Sequence, residues 1–492
     1  MDAANPRDDQ RETVPQESES PIVPVKRVTT VEGRGRREED AMEGKETGPQ
    51  RPETSSTKLQ RVTEQAKRNR KLRWMSINHL VDLDLIRESW RRIRKDGATG
   101  IDGETARAYS QDLGKRLEEL HGRLRAGTYR APPVRRVWIP KAGGKERPIG
   151  IPTLEDKIAQ RAVATVIETV MEPLFLDSSY GFRSGRSAHQ ALWSIQRTLM
   201  HQPIHWVLEI DMESFFDTLD HGWLRRMVNV RIGDGVIQRL IGKWLNAGVM
   251  EEGKLTRAER GSPQGGVISP LLANIYLHYA VDLWFARVVR PKLKGEAYQW
   301  RYADDILLAF EHEADACEVQ RQLGERLAKF GLKLNPSKTR LLRFERPPEK
   351  DEGGPPDRNV FDFLGFTHYW ARSRRGSWVV KRKTAGKRLR RAMSAVTQWC
   401  KAHRHWRLRE QHRHLSAVLR GHYQYYGMTW NWAGLSRFHL HVVRTWQRWL
   451  SRRSQTAYIR WERMDRILAV YPLLPPRIVH PDPWRLARKA FA

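Results

Sequence analysis

The residues best able to do chemistry are two adjacent carboxylates, Asp304 and Asp305, which lie between two apolar segments. Residues 300–303 precede the pair and residues 306–310 follow it, and together they are rich in aromatic and aliphatic side chains. This pattern favours a β-hairpin with the acidic pair at its turn. Carboxylates inside a hydrophobic segment are costly unless they bind a cation, and Mg²⁺ prefers such hard oxygen ligands together with substrate phosphates. The alternative is a solvated turn, because Asp is also a common turn residue.

A third carboxylate, Asp211, follows residues 206–210, which the sequence predicts to be a buried strand. One Asp after a strand and two on a hairpin can converge on a pair of metal ions when the chain folds. Two ions roughly 3.5–4 Å apart activate an attacking hydroxyl and stabilise the leaving pyrophosphate in an in-line displacement. The alternative for Asp211 is a strand-end cap or a turn residue.

Composition narrows the choice of partner. The chain carries 88 Lys and Arg against 57 Asp and Glu, a formal net charge of +31, which points to a polyanion or an anionic membrane surface. No apolar run of about 18 residues and no signal-peptide core is present, so we expect no membrane association and a cytoplasmic location. Nucleic acid is then the expected partner. The two cysteines, Cys317 and Cys400, support neither a disulfide framework nor a zinc site.

A series of short motifs occurs in a defined order along the chain. The motifs are TGIDG at 99–103, GKERPIGIPT at 144–153, YGFRSGRSAH at 180–189, WVLEIDMESFFD at 206–217, GSPQGGVISP at 261–270, YADD at 302–305, LNPSKT at 334–339 and FLGF at 363–366. In this order, over roughly residues 75 to 450, the chain resembles the reverse transcriptases, and more narrowly the maturase-reverse transcriptases encoded by group II introns.

The resemblance implies an α+β fold, a right-hand polymerase with fingers, palm and thumb, followed by an α-helical maturase domain X. We expect a disordered polar tail over 1–60, an N-terminal extension of the fingers over 61–119, and reverse transcriptase fingers and palm over 120–368. The thumb and maturase domain X would span 377–453, and a short basic tail without a sustained helical pattern would span 454–492. The N-terminal tail has too little apolar content to offset the entropy of ordering.

By the resemblance, Asp211, Asp304 and Asp305 are the catalytic residues, and together with Met212 they bind two Mg²⁺ ions. The residues expected to contact the incoming nucleotide are Lys145, Arg147, Phe216, Gln264 and Lys338.

Each of these nucleotide contacts has its own reason. Lys145 and Arg147 lie on a basic hairpin and would supply cations opposite the metals, although a solvated basic face is the alternative. Phe216 would lie under the sugar and exclude a 2′-hydroxyl. Gln264 can hydrogen-bond the nucleotide or the template base, and Lys338 can meet the triphosphate or the primer.

Template and primer contacts are expected elsewhere in the motifs. Arg183 and Arg186 lie in a glycine-containing loop and fit contacts to backbone phosphates. Tyr302 precedes the acidic pair, and Leu364 and Gly365 resemble the primer grip, where the backbone bends to hold the primer 3′ end.

The region beyond residue 376 is basic and helical. An apolar face at Leu389, Met393, Val396 and Cys400 predicts a thumb-like helix, and further helices are predicted over 407–420, 423–428 and 437–453. The segment 419–427 resembles domain X of group II intron proteins. The residues expected to bind RNA are Arg388, Arg390 and Arg391.

The combined hypothesis is an RNA-directed DNA polymerase that also binds intron RNA to assist splicing and mobility. Its partners would be intron RNA, an RNA template, a DNA primer or target, and dNTPs, and the sequence does not indicate an oligomeric state. Two alternatives stay open: a bacterial reverse transcriptase without an intron, in a defence or CRISPR-linked role, and an RNA-binding splicing cofactor whose polymerase activity is dispensable.

Overall fold

The structure, a computed structural model, describes residues 54–140, 146–251, 254–256, 265–348, 360–454, 456 and 458–483. These residues form a mixture of helices and sheets, in agreement with the predicted α+β class. Among the described helices, none is both long and apolar enough to cross a membrane.

The helices are spread along the whole described chain. They are α1 (Ser55–Arg68), α2 (Leu83–Arg92), α3 (Ala106–Tyr109), α4 (Leu113–Arg125), α5 (Leu154–Met171), α6 (Ala188–His201), α7 (Phe215–Thr218), α8 (His221–Asn229), α9 (Gly235–Leu245), α10 (Ser269–Leu277), α11 (Glu313–Lys329), α12 (Gly386–Ala402), α13 (Leu408–Tyr426), α14 (Trp432–Leu450) and α15 (Trp461–Val470). Short 3₁₀ segments occur at Asn78–Leu80, Ser110–Asp112 and Arg290–Lys292, and π-helical segments at His278–Asp282 and Phe285–Val289.

The strands belong to separate sheets. They are β1 (Val134–Pro140), β2 (Glu146–Ile151), β3 (Trp206–Ile210), β4 (Val249–Glu251), β5 (Lys254–Thr256), β6 (Ala297–Tyr302), β7 (Asp305–Phe310), β8 (Arg340–Arg343), β9 (Val360–Phe363), β10 (Phe366–Arg372) and β11 (Trp378–Thr384). Within the described residues the sheet orders are β2-β1-β4-β5, β6-β7-β3-β8 and β11-β10-β9.

The sheet β6-β7-β3-β8 is antiparallel and is covered on both faces. Successive side chains of a strand point to opposite faces. Leu208 of β3 and Leu308 of β7 therefore enter the large core shared with α5, α10 and α11, whereas Val207 and Leu307 enter a second core against β9–β11. Burial on both faces explains why these strands are almost continuously apolar.

The N-terminal boundary of the fold differs from the prediction. Helix α1 begins at Ser55, with the Thr54 side chain accepting from the Thr57 backbone N–H, so the expected disordered tail over 1–60 was wrong for residues 55–60. Val62 and Ala66, four residues apart, are buried from the same helix face, and this apolar pair explains why the helix is ordered. Residues 1–53 lie outside the described part of the chain.

A third core joins α12, α13, α14 and α15 into a helical bundle. Leu389, Val396 and Cys400 are buried as predicted, but the helices predicted over 407–420 and 423–428 are one continuous helix, α13. The expected tail over 454–492 was also wrong, because it contains α15 and contributes Met464 and Leu473 to this core. A few apolar side chains buried by neighbouring helices stabilise a segment whose local pattern is weak.

Candidate active site and nucleic-acid interface

The three predicted catalytic carboxylates are brought to one end of the sheet by strand register. Ile210 pairs with Ile306 across β3 and β7, so Asp211, the next residue, lies opposite Asp305. Tyr302 pairs with Asp305 across the β6–β7 hairpin, which leaves Ala303 and Asp304 as its two-residue turn. Ala303 has φ of 58°, the left-handed conformation that two-residue hairpin turns require. The predicted hairpin with the acidic pair at its turn is therefore present.

Negative charge is concentrated at the end of the sheet where Asp211, Asp304 and Asp305 lie. Loss of solvation, followed by the charges of Asp304 and Asp211, raises the pKa of Asp305 to about 6, and Arg388 and Lys338 partly offset the rise. Asp305 nevertheless keeps an exposed side. Crowded carboxylates that are open to solvent are suited to receive a cation, because a cation relieves their mutual repulsion.

Lys338 lies against one of these carboxylates. Its Nζ is 2.9 Å from Oδ2 of Asp211, and its side chain is 57% exposed. The turn that carries Lys338 is attached to the same residue, because the backbone N–H of Asn335 donates to the Asp211 carbonyl at 2.9 Å. Lys338 was predicted to meet the triphosphate or the primer, and in the structure its charge is paired with Asp211.

The turn of the β6–β7 hairpin is held by a buried cation, Arg301, that the sequence did not predict. Arg301 is fully buried, and its Nη1 donates to the Ala303 carbonyl at 3.1 Å and to Oδ1 of Asn274 at 2.8 Å. Its Nη2 donates to Oγ of Ser179 at 2.8 Å and to Oδ2 of Asp282 at 2.6 Å. A guanidinium with this many partners holds the turn in one position, because each hydrogen bond restricts the orientation of the planar group.

The loop before α6 packs directly against the turn of the β6–β7 hairpin. A side chain on Gly181 would collide with the backbone nitrogen of Ala303, so glycine is required for this close approach. The Gly181 carbonyl accepts from Nδ2 of Asn274 at 2.8 Å. The next residue, Phe182, is 56% exposed with φ of 55°, and its ring centroid lies 6.5 Å from that of Tyr302.

The two arginines of this loop have different environments. Arg183 is buried and donates to Oε1 of Glu172 at 2.8 Å and to the carbonyls of Leu176 and Ser179 at 2.6 Å. Its predicted phosphate contact was wrong, because its guanidinium is already used to fasten the loop. Arg186 is partly exposed and forms an ion pair with Asp177, and its phosphate contact stays a prediction.

The expected nucleotide pocket is described only in part, because Lys145 and Gln264 lie outside the described residues. Phe215 is buried, whereas Phe216 is half-buried, with its ring edge-on to Phe215 at 5.2 Å. Arg147 is on β2 and lies near Asp217, since burial raises the pKa of Asp217 and the charges of Arg136 and Arg147 lower it. Arg147 therefore lies near the residue that follows Phe216 in the chain.

The turn between β9 and β10 contains the two residues predicted as a primer grip. Leu364 and Gly365 both have positive φ, 47° and 79°, which makes a tight two-residue hairpin turn. The Tyr425 hydroxyl donates to the Leu364 carbonyl at 2.8 Å, and the backbone N–H of Ala385 donates to the Gly365 carbonyl at 3.0 Å. Helix α13 and the start of α12 therefore hold the turn from the side of the bundle.

The three arginines predicted to bind RNA are all exposed on α12. Arg388 acts on the pKa of Asp305 and of Tyr425, so it faces the junction between the bundle and the end of the sheet that carries the three carboxylates. Arg391 lies three residues further on the same face, whereas Arg390 is about 200° around the helix from Arg388. The three side chains therefore do not form one helical face.

No group of three or more His, Cys, Asp or Glu side chains in the described part of the chain is arranged to ligate one metal ion by itself. Mg²⁺ keeps several water ligands and uses one or two carboxylates plus substrate phosphates, so it does not need such a cage. Asp211, Asp304 and Asp305 fit this requirement, as an acidic cluster open to solvent.

Comparison with known proteins identifies the class. The family described as "Reverse transcriptase (RNA-dependent DNA polymerase)" matches residues 139–368. Protein YkfC of Escherichia coli is 35% identical over 311 residues, which cover 57% of this chain and 78% of YkfC. The chain belongs to the reverse transcriptase family, which confirms the predicted enzyme class, an RNA-directed DNA polymerase with the right-hand polymerase fold.

Other relatives carry intron names. The group II intron-encoded protein LtrA of Lactococcus lactis is 42% identical over 180 residues, covering 36% of this chain and 29% of LtrA. Nuclear intron maturase 4, mitochondrial, of Arabidopsis thaliana is 29% identical over 129 residues, covering 26% of this chain and 16% of that protein. The chain thus spans less than a third of the length of these two relatives. Their names agree with the predicted resemblance to group II intron-encoded enzymes.

Proposed function

We propose that this protein is a group II intron reverse transcriptase and maturase, which copies RNA into DNA and binds intron RNA to assist splicing and mobility. The observation that carries the proposal is the register of β3 against β7, which puts Asp211 opposite Asp305 inside the matched region. The relatives named for group II introns and for intron maturation support the second half of the proposal.

The catalytic residues would be Asp211, Asp304 and Asp305, and they would hold two Mg²⁺ ions. The Met212 side chain is buried, so this residue would take part only through its backbone carbonyl. When bound, the ions supply Lewis acidity at the attacking and leaving oxygens. The chain itself positions the carboxylates, through the β3–β7 register and the bonds of Arg301 to the turn.

The nucleotide would lie between the carboxylates and β2. Arg147, with Lys145 and Gln264, would contact the nucleotide from the fingers, and Lys338 would exchange its ion pair with Asp211 for the triphosphate or the primer. Phe216, half-buried on α7, would lie under the sugar and exclude a 2′-hydroxyl.

The primer end would be held by the turn at Leu364 and Gly365, whose backbone is fastened to Tyr425. Arg186 and Tyr302 would contact the template or primer. Of the five residues first expected to serve here, Arg183 instead fastens its own loop.

The helical bundle would combine the thumb with maturase domain X. Arg388, Arg390 and Arg391 are exposed on α12, and the net charge of +31 favours a polyanion. Intron RNA would bind across the face of α12 that carries Arg388 and Arg391, next to the catalytic end of the palm.

The test is to incubate the purified protein with RNA transcribed from the sequence flanking its gene, while measuring splicing and primer extension in the same preparation. The proposal expects both activities, and it expects Asp304→Asn to lose primer extension but keep splicing. Primer extension without any effect on splicing would identify a reverse transcriptase without an intron. Splicing without primer extension would identify a splicing cofactor.

A further inference from the structure

An aromatic cluster occupies the turn between α12 and α13. The cluster consists of Trp399, His403, Trp406 and His414. The Trp399 indole is sandwiched between His414 and His403, with ring centroids 3.8 Å and 4.6 Å away and planes tilted by 8° and 15°. Trp406 stands edge-on to His403, with centroids 4.3 Å apart and planes at 84°.

The backbone beneath Trp406 is fixed by a buried amide and an arginine. Nε2 of Gln411, a residue that is 2% exposed, donates to the carbonyls of His403 at 3.0 Å and Trp406 at 2.9 Å. Arg453 donates to the carbonyls of Arg404 at 2.6 Å and Trp406 at 2.7 Å. The turn is therefore rigid, yet the Trp406 side chain is 48% exposed. A large aromatic ring on a rigid backbone loses little conformational entropy when a ligand stacks on it.

The charged residues around the cluster indicate which kind of ligand it binds. The exposed cations on this turn and the helix ends beside it are Lys401, Arg407, Arg409, Arg413 and Arg452. Between residues 401 and 413 the sequence holds a single carboxylate, Glu410. Five cations beside one carboxylate favour a ligand that carries negative charge along its length. Single-stranded nucleic acid is such a ligand, and proteins bind it with aromatic rings placed among cations.

We propose that the aromatic cluster is a stacking site for an unpaired base of RNA, with Trp406 as the contacting ring and the cations around it holding the flanking phosphates. The proposal rests on RNA being the partner of this bundle. It adds a contact at the far end of α12, a helix of 17 residues and so about 25 Å long, away from the catalytic end. An RNA that reached both ends would be held across the length of the bundle.

Stacking and phosphate contacts can be separated because only the second depends on salt. Loss of a stacking ring lowers affinity by about fivefold to a hundredfold and leaves the slope of log K against log[salt] unchanged. Loss of a cation that contacts a phosphate of a single strand flattens this slope by about 0.7.

The experiment measures fluorescence anisotropy of a short labelled oligoadenylate with the full chain, with excess unlabelled primer–template duplex present to occupy the polymerase cleft. Trp406→Ala should weaken binding by about fivefold or more at every salt concentration, with an unchanged slope. Trp406→Phe should keep most of the affinity, whereas Trp406→Leu, which is apolar but not aromatic, should not. Arg407→Ala should flatten the slope by about 0.7. Trp432→Ala is the control, because Trp432 is 55% exposed at the opposite end of the bundle.

A second measurement locates the contact directly. An oligonucleotide carrying 5-iodouridine cross-links under light to aromatic rings on which it stacks, and we expect the cross-link on the peptide that contains Trp406. Wild-type affinity in Trp406→Ala, or cross-links found only outside residues 399–414, would overturn the proposal. If the wild type extends primers and binds intron RNA while Trp406→Ala has no effect, this inference alone fails. If the wild type does neither, the proposed function fails with it.

Discussion

Arg301 and Asp282 form an ion pair in which both side chains are fully buried, with 2.6 Å between Nη2 and Oδ2. Asp282 ends the π-helical segment His278–Asp282, and π-helical turns are frequent at functional sites. Because Arg301 also donates to the Ala303 carbonyl, the pair connects the helix behind the sheet to the turn that carries Asp304.

Asp282→Asn should destabilise the protein strongly, because it leaves the Arg301 guanidinium buried without a counter-charge. Breaking a buried pair from one side costs about 3–5 kcal/mol. Denaturant unfolding followed by fluorescence measures the free energy of unfolding of this variant against the wild type.

The matched control is Glu318→Gln, which breaks the exposed pair of Glu318 and Arg321, also 2.6 Å apart. Exposed pairs contribute little because water screens them. The free energy of unfolding of this variant should therefore equal that of the wild type. Equal small effects from both substitutions would show that the buried pair does not hold the turn.

Asp304→Asn should abolish primer extension and leave RNA binding largely unchanged. The substitution keeps the size and the turn position of the side chain but removes the charge that a Mg²⁺ ligand needs. Extension of an oligo(dT) primer on poly(rA) measures the first effect, and anisotropy with intron RNA measures the second. Extension at a rate near that of the wild type would exclude Asp304 from the catalytic set.

Phe216→Val should weaken the discrimination against ribonucleotides, because a smaller side chain leaves room for a 2′-hydroxyl. Phe216 is half-buried beside the buried Phe215, so it can be shortened at a lower cost in packing. The ratio of kcat/KM for dNTP to that for the matching rNTP should fall. Phe215→Val is the comparison, for which we expect lost stability and an unchanged ratio.

The sequence predicted the residues whose positions follow from local patterns. It missed those whose roles depend on tertiary contacts. The β6–β7 hairpin and the strand before Asp211 follow from apolar runs and a turn. The burial of Arg301 depends on Asp282, 19 residues away, and on Ser179, 122 residues away, which no short pattern reveals. Arg183 resembled a phosphate contact for the same reason, since its partner Glu172 lies directly after the end of α5, 11 residues earlier.

Acid should destabilise the helical bundle through His422. Burial lowers the pKa of His422 to about 4, and its Nε2 has no hydrogen-bond partner among the described residues. Because the folded pKa lies below the unfolded value, near 6.5, the unfolded state binds the proton more readily and stability falls as the pH decreases from about 6.5 towards 4. At pH 5 the loss is about 2 kcal/mol.

His422→Phe removes this proton-binding group and keeps a ring against Phe438, whose centroid lies 3.9 Å away. Thermal melts at pH 7 and pH 5 should show a smaller decrease in Tm for the variant than for the wild type. An equal decrease in both proteins would place the acid sensitivity at other groups.

The arginines of α12 should differ in what they do, because they face different directions. Arg388 and Arg391 share the face towards the palm, and their charges act on the pKa of Tyr426, whereas Arg390 points elsewhere. The double variant Arg388→Ala/Arg391→Ala should flatten the salt slope of intron RNA binding by about 1.4 and also reduce primer extension. Arg390→Ala should flatten the slope by at most about 0.7 and leave extension unchanged.

Arg321→Ala is the control for these variants, because the charge of Arg321 is compensated by Glu318 and Glu325 at 2.6 Å each. Its loss should change neither the salt slope nor the rate of extension. Phosphate contacts carry no sequence information, so the α12 variants should weaken binding to unrelated RNA in parallel with intron RNA. A salt slope near zero for the wild type would contradict the assignment of this helix to RNA, because it would mean that the exposed arginines displace no counterions.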